Sequence, residues 1–271
     1  MTDLNKVLVT GAGGMLAQDI SFGVKLSHAE LDVTDVSQIA NICNKVNPSA
    51  ILCLSSIDIR ACEQKPLEAY RVNVLGPYNL TQEARKRNIP MILISTGAVF
   101  SGDVEAMFTP SDTPNPVNIY GQTKYLAELM VKSLTNNCLI VRTGWLFGAA
   151  QKKGFTAFID KTMEAASKGG EIRATNSHYG SPTYMGDFQA TLASLIKDRA
   201  TGVIHLVNSG RASAADVAQH IIDSSKSRSL LVRTILSENE IPKRSKSEAL
   251  SQTVTLRIWQ AALDEYLHIQ R

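Results

Sequence analysis

The stretch Lys6-Val7-Leu8-Val9-Thr10-Gly11-Ala12-Gly13-Gly14-Met15-Leu16-Ala17-Gln18-Asp19-Ile20 decides the fold. Its first five residues are a short apolar run, the pattern of a strand buried on both faces. A glycine turn follows, and then six residues with the composition of a helix. Strand, glycine turn and helix in that order open a βαβ unit. Such a turn lets the backbone approach a pyrophosphate closely, with backbone amides and the helix dipole facing the negative charge. The spacing is Gly11-x-x-Gly14-x-x-Ala17, with Gly13 as an extra flexible position, and it departs from GxGxxG. A tight turn without a ligand would read the same in isolation. What favours a dinucleotide is its place after the first strand of a chain that keeps alternating.

The alternation continues outward. Val24-Lys25-Leu26 is a second short strand. Thr34 or Asp35 can cap a helix whose apolar positions Val36, Ile39, Ile42 and Val46 recur at helical spacing, and Asn47-Pro48 stops it. Residues 50–54 and 91–95 are buried strands, with a long helix between them that starts near Pro66, runs through Arg87 and bends at Gly76-Pro77. A polar loop over 97–118 leads to a helix over 120–133 and a strand over 138–142. This order predicts an α/β chain with a Rossmann-type, doubly wound parallel sheet. Beyond about Gly148 the pattern is less regular, although 202–207 reads as a strand and 214–224 and 256–267 as helices. Residues 1–150 therefore read as a dinucleotide-binding domain. Residues 151–271 read as mainly a smaller C-terminal substrate-binding lobe over the strand ends, with some segments returning to the sheet. The site is expected at the carboxyl ends of the strands, where Thr10, Leu54 to Ser56, Ser95-Thr96 and Thr143 to Trp145 fall.

Composition narrows the function classes. With 44% hydrophobic residues and a net charge of only +3, the chain can bury a large core and has no basic field for nucleic acid. The densest positive run, Pro242-Lys243-Arg244-Ser245-Lys246, reads as a solvated loop. Cys43, Cys53, Cys62 and Cys138 show no metal-ligand spacing, so no metal site is expected, and they read as small buried hydrophobes in a reducing compartment. No apolar segment of a signal peptide and no membrane-spanning run is seen, which makes the expected location the cytoplasm.

Tyr120 and Lys124 lie four residues apart on a helix and project from one face. A reductase must deliver a proton to a carbonyl oxygen as hydride reaches the carbon. A phenol can do so, but its ordinary pKa of about 10 is high. A nearby ammonium stabilises the phenolate and lowers that pKa, and it can hold the nicotinamide ribose. A hydroxyl from Ser95-Thr96 can polarise the carbonyl. A surface lysine beside a half-buried tyrosine would carry the same spacing. The glycine turn, strand-end hydroxyl and Tyr-x-x-x-Lys arriving in this order favour a dinucleotide-dependent reductase. The second strand ends in Ser27-His28 without an immediate carboxylate, so the cofactor is NADPH or NADH. Lys25 and His28 tolerate a 2′-phosphate, and Glu30 can reach a ribose hydroxyl.

With these residues in place the chain resembles the dTDP-4-dehydrorhamnose reductases, a family of extended short-chain dehydrogenases. The resemblance runs over nearly the whole chain. It is carried by the glycine turn, Leu31-Asp32-Val33-Thr34-Asp35, Arg71-Val72-Asn73-Val74-Leu75-Gly76 and Ile94-Ser95-Thr96 with Val99-Phe100-Ser101-Gly102. Further on come Ile119-Tyr120-Gly121-Gln122-Thr123-Lys124, Arg142-Thr143-Gly144-Trp145-Leu146-Phe147-Gly148, Gly180-Ser181-Pro182-Thr183-Tyr184 and Trp259-Gln260-Ala261-Ala262-Leu263. It implies reduction of the 4-keto group of a nucleotide-activated deoxysugar, with Tyr120 as proton donor, Lys124 as its partner and ribose anchor, and Thr96 as the polarising hydroxyl. It also implies that Gly11, Gly14, Met15 and Leu16 take the phosphates and that Asp32 and Val33 border the adenine. Cys53, Leu54 and Ser55 would line the cofactor's middle, Asn73 would organise that side of the sheet, and Trp145 would face the sugar. Trp145 as plain core packing, and Asn73 as a helix-to-strand tie, are the competing readings. Dimers occur among similar proteins, which makes a homodimer the assembly to test.

The sequence departs from the family around the substrate. Ile57 stands where a threonine is expected, Arg60 where an acid is common, and Gly97-Ala98 where Asp-Tyr is usual. Ile241-Pro242-Lys243-Arg244-Ser245 replaces an Arg-Pro pair. Such changes would suit the competing reading, a cofactor-binding regulatory subunit resembling that of methionine adenosyltransferase and lacking turnover of its own. The intact Thr96, Tyr120 and Lys124 argue for the enzyme. An epimerase or dehydratase would need further acid-base groups near Thr96, and Gly97-Ala98 offers none.

Overall fold

In the computed structural model, residues 1–103, 105–237 and 239–269 are described. The first half builds β1 (Val7–Thr10), α1 (Met15–Asp19), β2 (Val24–Leu26), α2 (Val36–Val46) and β3 (Ala50–Cys53). It continues with α3 (Ile59–Gln64), α4 (Pro66–Tyr70), α5 (Gly76–Lys86), β4 (Met91–Thr96), α6 (Ile119–Leu134), β5 (Cys138–Thr143) and β6 (Trp145–Phe147). The second half adds α7 (Gly154–Lys168), β7 (Glu171–Thr175), β8 (Tyr179–Gly180), β9 (Pro182–Tyr184), α8 (Met185–Lys197) and β10 (Gly202–His205). Then come β11 (Ala212–Ser213), α9 (Ala214–Ser224), β12 (Leu230–Thr234) and α10 (Trp259–Ile269).

Six strands form one sheet in the order β10-β5-β4-β3-β1-β2, and every neighbouring pair is parallel. The order reverses between β1 and β3, so a crevice opens above their carboxyl ends. Because side chains alternate across a strand, each apolar run feeds two cores. Val7, Val9, Leu52, Ile92 and Val141 pack on one face with Phe188, Leu192 and Ile196 of α8. Leu8, Ile51, Leu93 and Ile140 pack on the other with Ile39, Cys43, Leu80, Ala127 and Val131 from α2, α5 and α6. The lobe over the strand ends has its own core, in which Phe147, Ile159, Ile172, Ile221, Trp259 and Leu263 meet. Helix α8 and strand β10 come from this later half yet complete the sheet layer.

Local expectations changed in four places. In α2 the buried positions are Ile39 and Cys43, while Val36, the first residue of the helix, is 56% exposed. The long helix after Pro66 is not one α-helix: Arg71–Leu75 is a π-helical turn, and Gly76 and Pro77 then open α5. A wider turn there tolerates the missing proline N–H. The last helix begins at Trp259 rather than near 256, since Leu256 donates its N–H to the Gln252 side chain and Ile258 bridges to Ser209. Helix α1 has only five residues, so little macrodipole supports the glycine turn, and the contribution expected of it falls to backbone amides.

All four cysteines are buried and unpaired, and burial pushes the thiols of Cys43 and Cys62 up to about 11. Among the described residues no helix is long and apolar enough to cross a membrane.

Candidate active site

A cleft of about 710 Å³ lies over the carboxyl ends of β1, β3, β4 and β5. Gly11, Gly14, Met15, Leu16, Leu54, Thr96, Tyr120, Lys124 and Trp145 all line it, so the sheet brings together residues more than a hundred positions apart.

The floor is the glycine turn. Gly11 has φ +77°, and a Cβ there would stand 2.7 Å from the Ser55 amide nitrogen, so a side chain is excluded by strain and by contact. Gly14 caps α1 without any side-chain hydrogen bond, leaving its neighbouring amides facing the cleft. The Ser55 hydroxyl donates to Thr10 Oγ1 at 2.9 Å and ties the ends of β1 and β3 together. An open glycine cradle at the point where strand order reverses fits a dinucleotide pyrophosphate.

The second wall is set by the docking of α6 on the end of β4. Thr96 ends that strand, and its Oγ1 accepts from the Ala98 N–H at 3.1 Å. Asn118 caps α6 by accepting from the Gly121 N–H at 2.8 Å, while the Ile119 N–H donates to Glu63 Oε1 at 2.8 Å. Gly121 sits so close to the Ala98 carbonyl that no side chain fits between them, which places Tyr120 beside Thr96. Tyr120 is partly open to the cleft, with the Thr96 hydroxyl lining the same wall. Lys124, one turn on, is 4% exposed.

Below these groups lies a buried brace. Glu128 of α6 accepts from Ser95 Oγ at 2.5 Å and from Arg142 Nη2 at 2.6 Å. Since Ser95 precedes Thr96 and Arg142 precedes Thr143, this pair registers α6 against β4 and β5.

Electrostatics reverse one expectation. Burial pushes the Tyr120 phenol up to about 12, with Cys62, Glu248 and Asp58 adding to the shift and the Thr96 hydrogen bond opposing it. Burial also lowers the Lys124 ammonium below its ordinary value, against the pull of Cys53, Glu128 and Cys62. The lysine was expected to bring the phenol down. In this dry wall both groups are driven toward their neutral forms instead. A phenol held protonated is the form that a proton donor requires.

The third wall belongs to the lobe. Trp145 Nε1 donates to Glu248 Oε1 at 2.8 Å, and its ring lies 4.9 Å from Phe155 and 5.2 Å from His178. Gly180 lies flush against the indole, where a side chain would collide with the ring. Phe155, Phe158, His178, Leu236 and Arg244 complete this side.

Several expected residues sit outside the cleft lining. Asp32 spends its carboxylate on the Thr34 N–H and hydroxyl, both at 2.8 Å, and Val33 is buried against Gly76. Cys53 is buried in the core under Lys124, and Ser55 faces Thr10. Asn73 is buried: it accepts from the Ile57 N–H at 2.7 Å and donates to Thr123 Oγ1 at 3.1 Å, fastening the loop after β3 to α6. At the second strand, Lys25 donates to the Ile20 carbonyl at 3.0 Å, and Glu30 accepts from the Ser27 N–H and hydroxyl at 2.8 and 2.7 Å.

Of the departures from the family pattern, Gly97 has a packing reason. Ile57 is held through its backbone by Asn73, and Arg60 is exposed. Gly97 is required because the Glu248 carbonyl occupies the space of a side chain there. Acidic and basic groups absent beside Thr96 in sequence are supplied from elsewhere: Asp58 and His178 line the cleft, and Glu248 stands behind Trp145. No spacing in the sequence points to these three. Asp58 alone carries a local signal, as the cap that accepts from the Arg60 and Ala61 N–H groups.

Residues 5–270 match the family described as the RmlD substrate binding domain. The chain is 27% identical over 282 residues to the spore coat polysaccharide biosynthesis protein SpsK of Bacillus subtilis (strain 168), covering 97% of each. It is 30% identical over 229 residues to a dTDP-4-keto-6-deoxy-D-glucose reductase of Streptomyces niveus, covering 81% of this chain and 77% of the relative. Among solved structures, a dTDP-4-dehydrorhamnose reductase from Bacillus anthracis str. Ames in complex with NADP aligns with a TM-score of 0.88 at 25% identity. That alignment covers 98% of this chain and 99% of the other.

Proposed function

This chain belongs to the RmlD substrate binding domain family, and from that premise we propose that it is an NAD(P)H-dependent reductase of the 4-keto group of a dTDP-linked 6-deoxysugar. The observation that carries the reading is the meeting of Thr96, Tyr120 and Lys124 on one wall of a cleft floored by Gly11 and Gly14. When bound, the coenzyme supplies the hydride that reduces C4. The glycine turn takes its pyrophosphate on backbone amides, and Lys124 holds the nicotinamide ribose. Thr96 donates to the carbonyl oxygen and polarises it. Tyr120, kept protonated by burial, delivers its phenolic proton to that oxygen as the alcohol forms, and the phenolate recovers a proton from solvent. The aromatic wall of Trp145 and Phe155 excludes water and takes the sugar.

On the same reading the enzyme is cytoplasmic, and light scattering decides between monomer and homodimer. The test of activity is coenzyme oxidation on mixing with enzymatically made dTDP-4-keto-6-deoxysugars, with NADPH and NADH compared. The expected result is stoichiometric formation of the 4-hydroxy sugar. No oxidation with any member of the series would sink the reading.

A further inference from the structure

Glu248 is a buried carboxylate held rigidly from both sides. Its N–H donates to the Tyr179 carbonyl at 2.9 Å, and its own carbonyl lies over Gly97. Its Oε1 accepts from the Trp145 indole at 2.8 Å and stands 3.5 Å from His178 Nε2. The opposite nitrogen of that ring, Nδ1, faces the Ser245 carbonyl at 2.6 Å and must donate, since a carbonyl only accepts. The imidazole is thereby fixed through Nδ1, with Nε2 in contact with the carboxylate, and the indole is fixed at its one donor. Both rings line the cleft, while Glu248 stands behind them.

We propose that Glu248 is a specificity-determining positioning residue: through one carboxylate oxygen it clamps the Trp145 indole, which packs beside the His178 ring, into a wall that shapes the sugar end of the cleft. The proposal rests on the reading above, in which the sugar lies against Trp145. Burial opposes a charge at Glu248, yet His178, Trp145 and Arg244 together outweigh it and hold the carboxyl below its ordinary value. A charged acceptor grips an N–H more firmly than a neutral one. The aromatic wall is therefore set by an acid that does not itself touch the substrate.

The test uses Trp259→Phe as background, leaving Trp145 as the sole tryptophan. Glu248→Met removes the acceptor at similar volume, and Glu248→Gln keeps one acceptor oxygen. In Glu248→Met, the KM for the keto sugar nucleotide is expected to rise about tenfold, with the KM for NADPH unchanged, and Trp145 emission is expected to shift to the red. In Glu248→Gln both stay close to the parent, within about threefold in KM. Once Trp145→Phe is present, adding Glu248→Met should cost nothing further, because the acid then has no indole to hold. Fully additive losses, or an unmoved Trp145 emission in Glu248→Met, would overturn the proposal. If Glu248→Met does not fold, Glu248→Gln decides alone, and a solvent-like indole emission in that variant overturns it. Should the parent turn over no sugar nucleotide, the functional reading fails, while the emission of Trp145 still reports whether the clamp exists.

Discussion

The two side walls of the cleft both enclose titratable groups and treat their charge in opposite ways. On the wall proposed to face the coenzyme, Tyr120 and Lys124 are driven toward neutrality. On the wall proposed to face the sugar, Glu248 is 8% exposed and its carboxyl is held below its ordinary value. Burial sets the cost of a charge, and partners decide whether it is met. Glu248 accepts from the indole N–H, and the His178 ring stands 3.5 Å from the same oxygen. Lys124 feels Glu128 through space, and that acid's oxygens are already taken by Ser95 and Arg142. The walls also differ in construction. The first is made of strand ends and a helix cap. The second is made of side-chain contacts between distant segments, such as the Trp145–Glu248 pair at a separation of 103 residues.

The largest expected effect tests the coenzyme wall. Tyr120→Phe should lower kcat by about 10²–10⁴-fold, the range of a lost general acid, with melting temperature and NADPH affinity unchanged. Single-turnover kinetics and calorimetry read this, and a loss below tenfold would remove Tyr120 from its role.

Two glycine variants then ask whether the walls act independently. Gly11→Ala forces a side chain into positive φ and against the Ser55 amide, so NADPH binding should weaken about tenfold or more with melting lowered by strain. Gly97→Ala instead meets the Glu248 carbonyl. It should displace residues 245–250 and raise the KM for the sugar nucleotide several-fold while NADPH affinity holds. If each variant moves both constants equally, the division into two walls is wrong.

The smallest effect concerns the frame beneath. Burial, helped by the Arg142 charge, lowers the pKa of His205 to about 4 from 6.5. The unfolded chain therefore takes up this proton first as pH falls. The stability that neutral His205 contributes is complete above about pH 6.5 and is lost progressively toward pH 4. Between pH 7 and 5.5 the loss should be about 1 kcal/mol, visible as a lower urea midpoint. His205→Gln should flatten that dependence, and an equally steep slope in the variant would exclude His205 as its source.

The strands of the first half were legible within a residue or two, because apolar runs such as Val7-Leu8-Val9 and Ile51-Leu52-Cys53 can be buried on both faces only at the centre of a sheet. The glycine turn and the Tyr120–Lys124 spacing were equally plain. They are local patterns, set by the geometry of one turn and one helix. Asn73 carried a recognisable motif, yet its role as a tie between Ile57 and Thr123 needed both partners in place.

By itself the sequence determined the alternating architecture, the glycine turn after the first strand and the helical face that bears the phenol and the lysine, since each depends on neighbours a few residues away. The tertiary structure alone decided that residues 245–250 reach the loop after β4, that His178, Trp145 and Glu248 form one wall, and that burial raises the phenol rather than letting the lysine lower it. Contact and desolvation are properties of the packed chain, and no periodicity along the sequence encodes which distant side chains will meet.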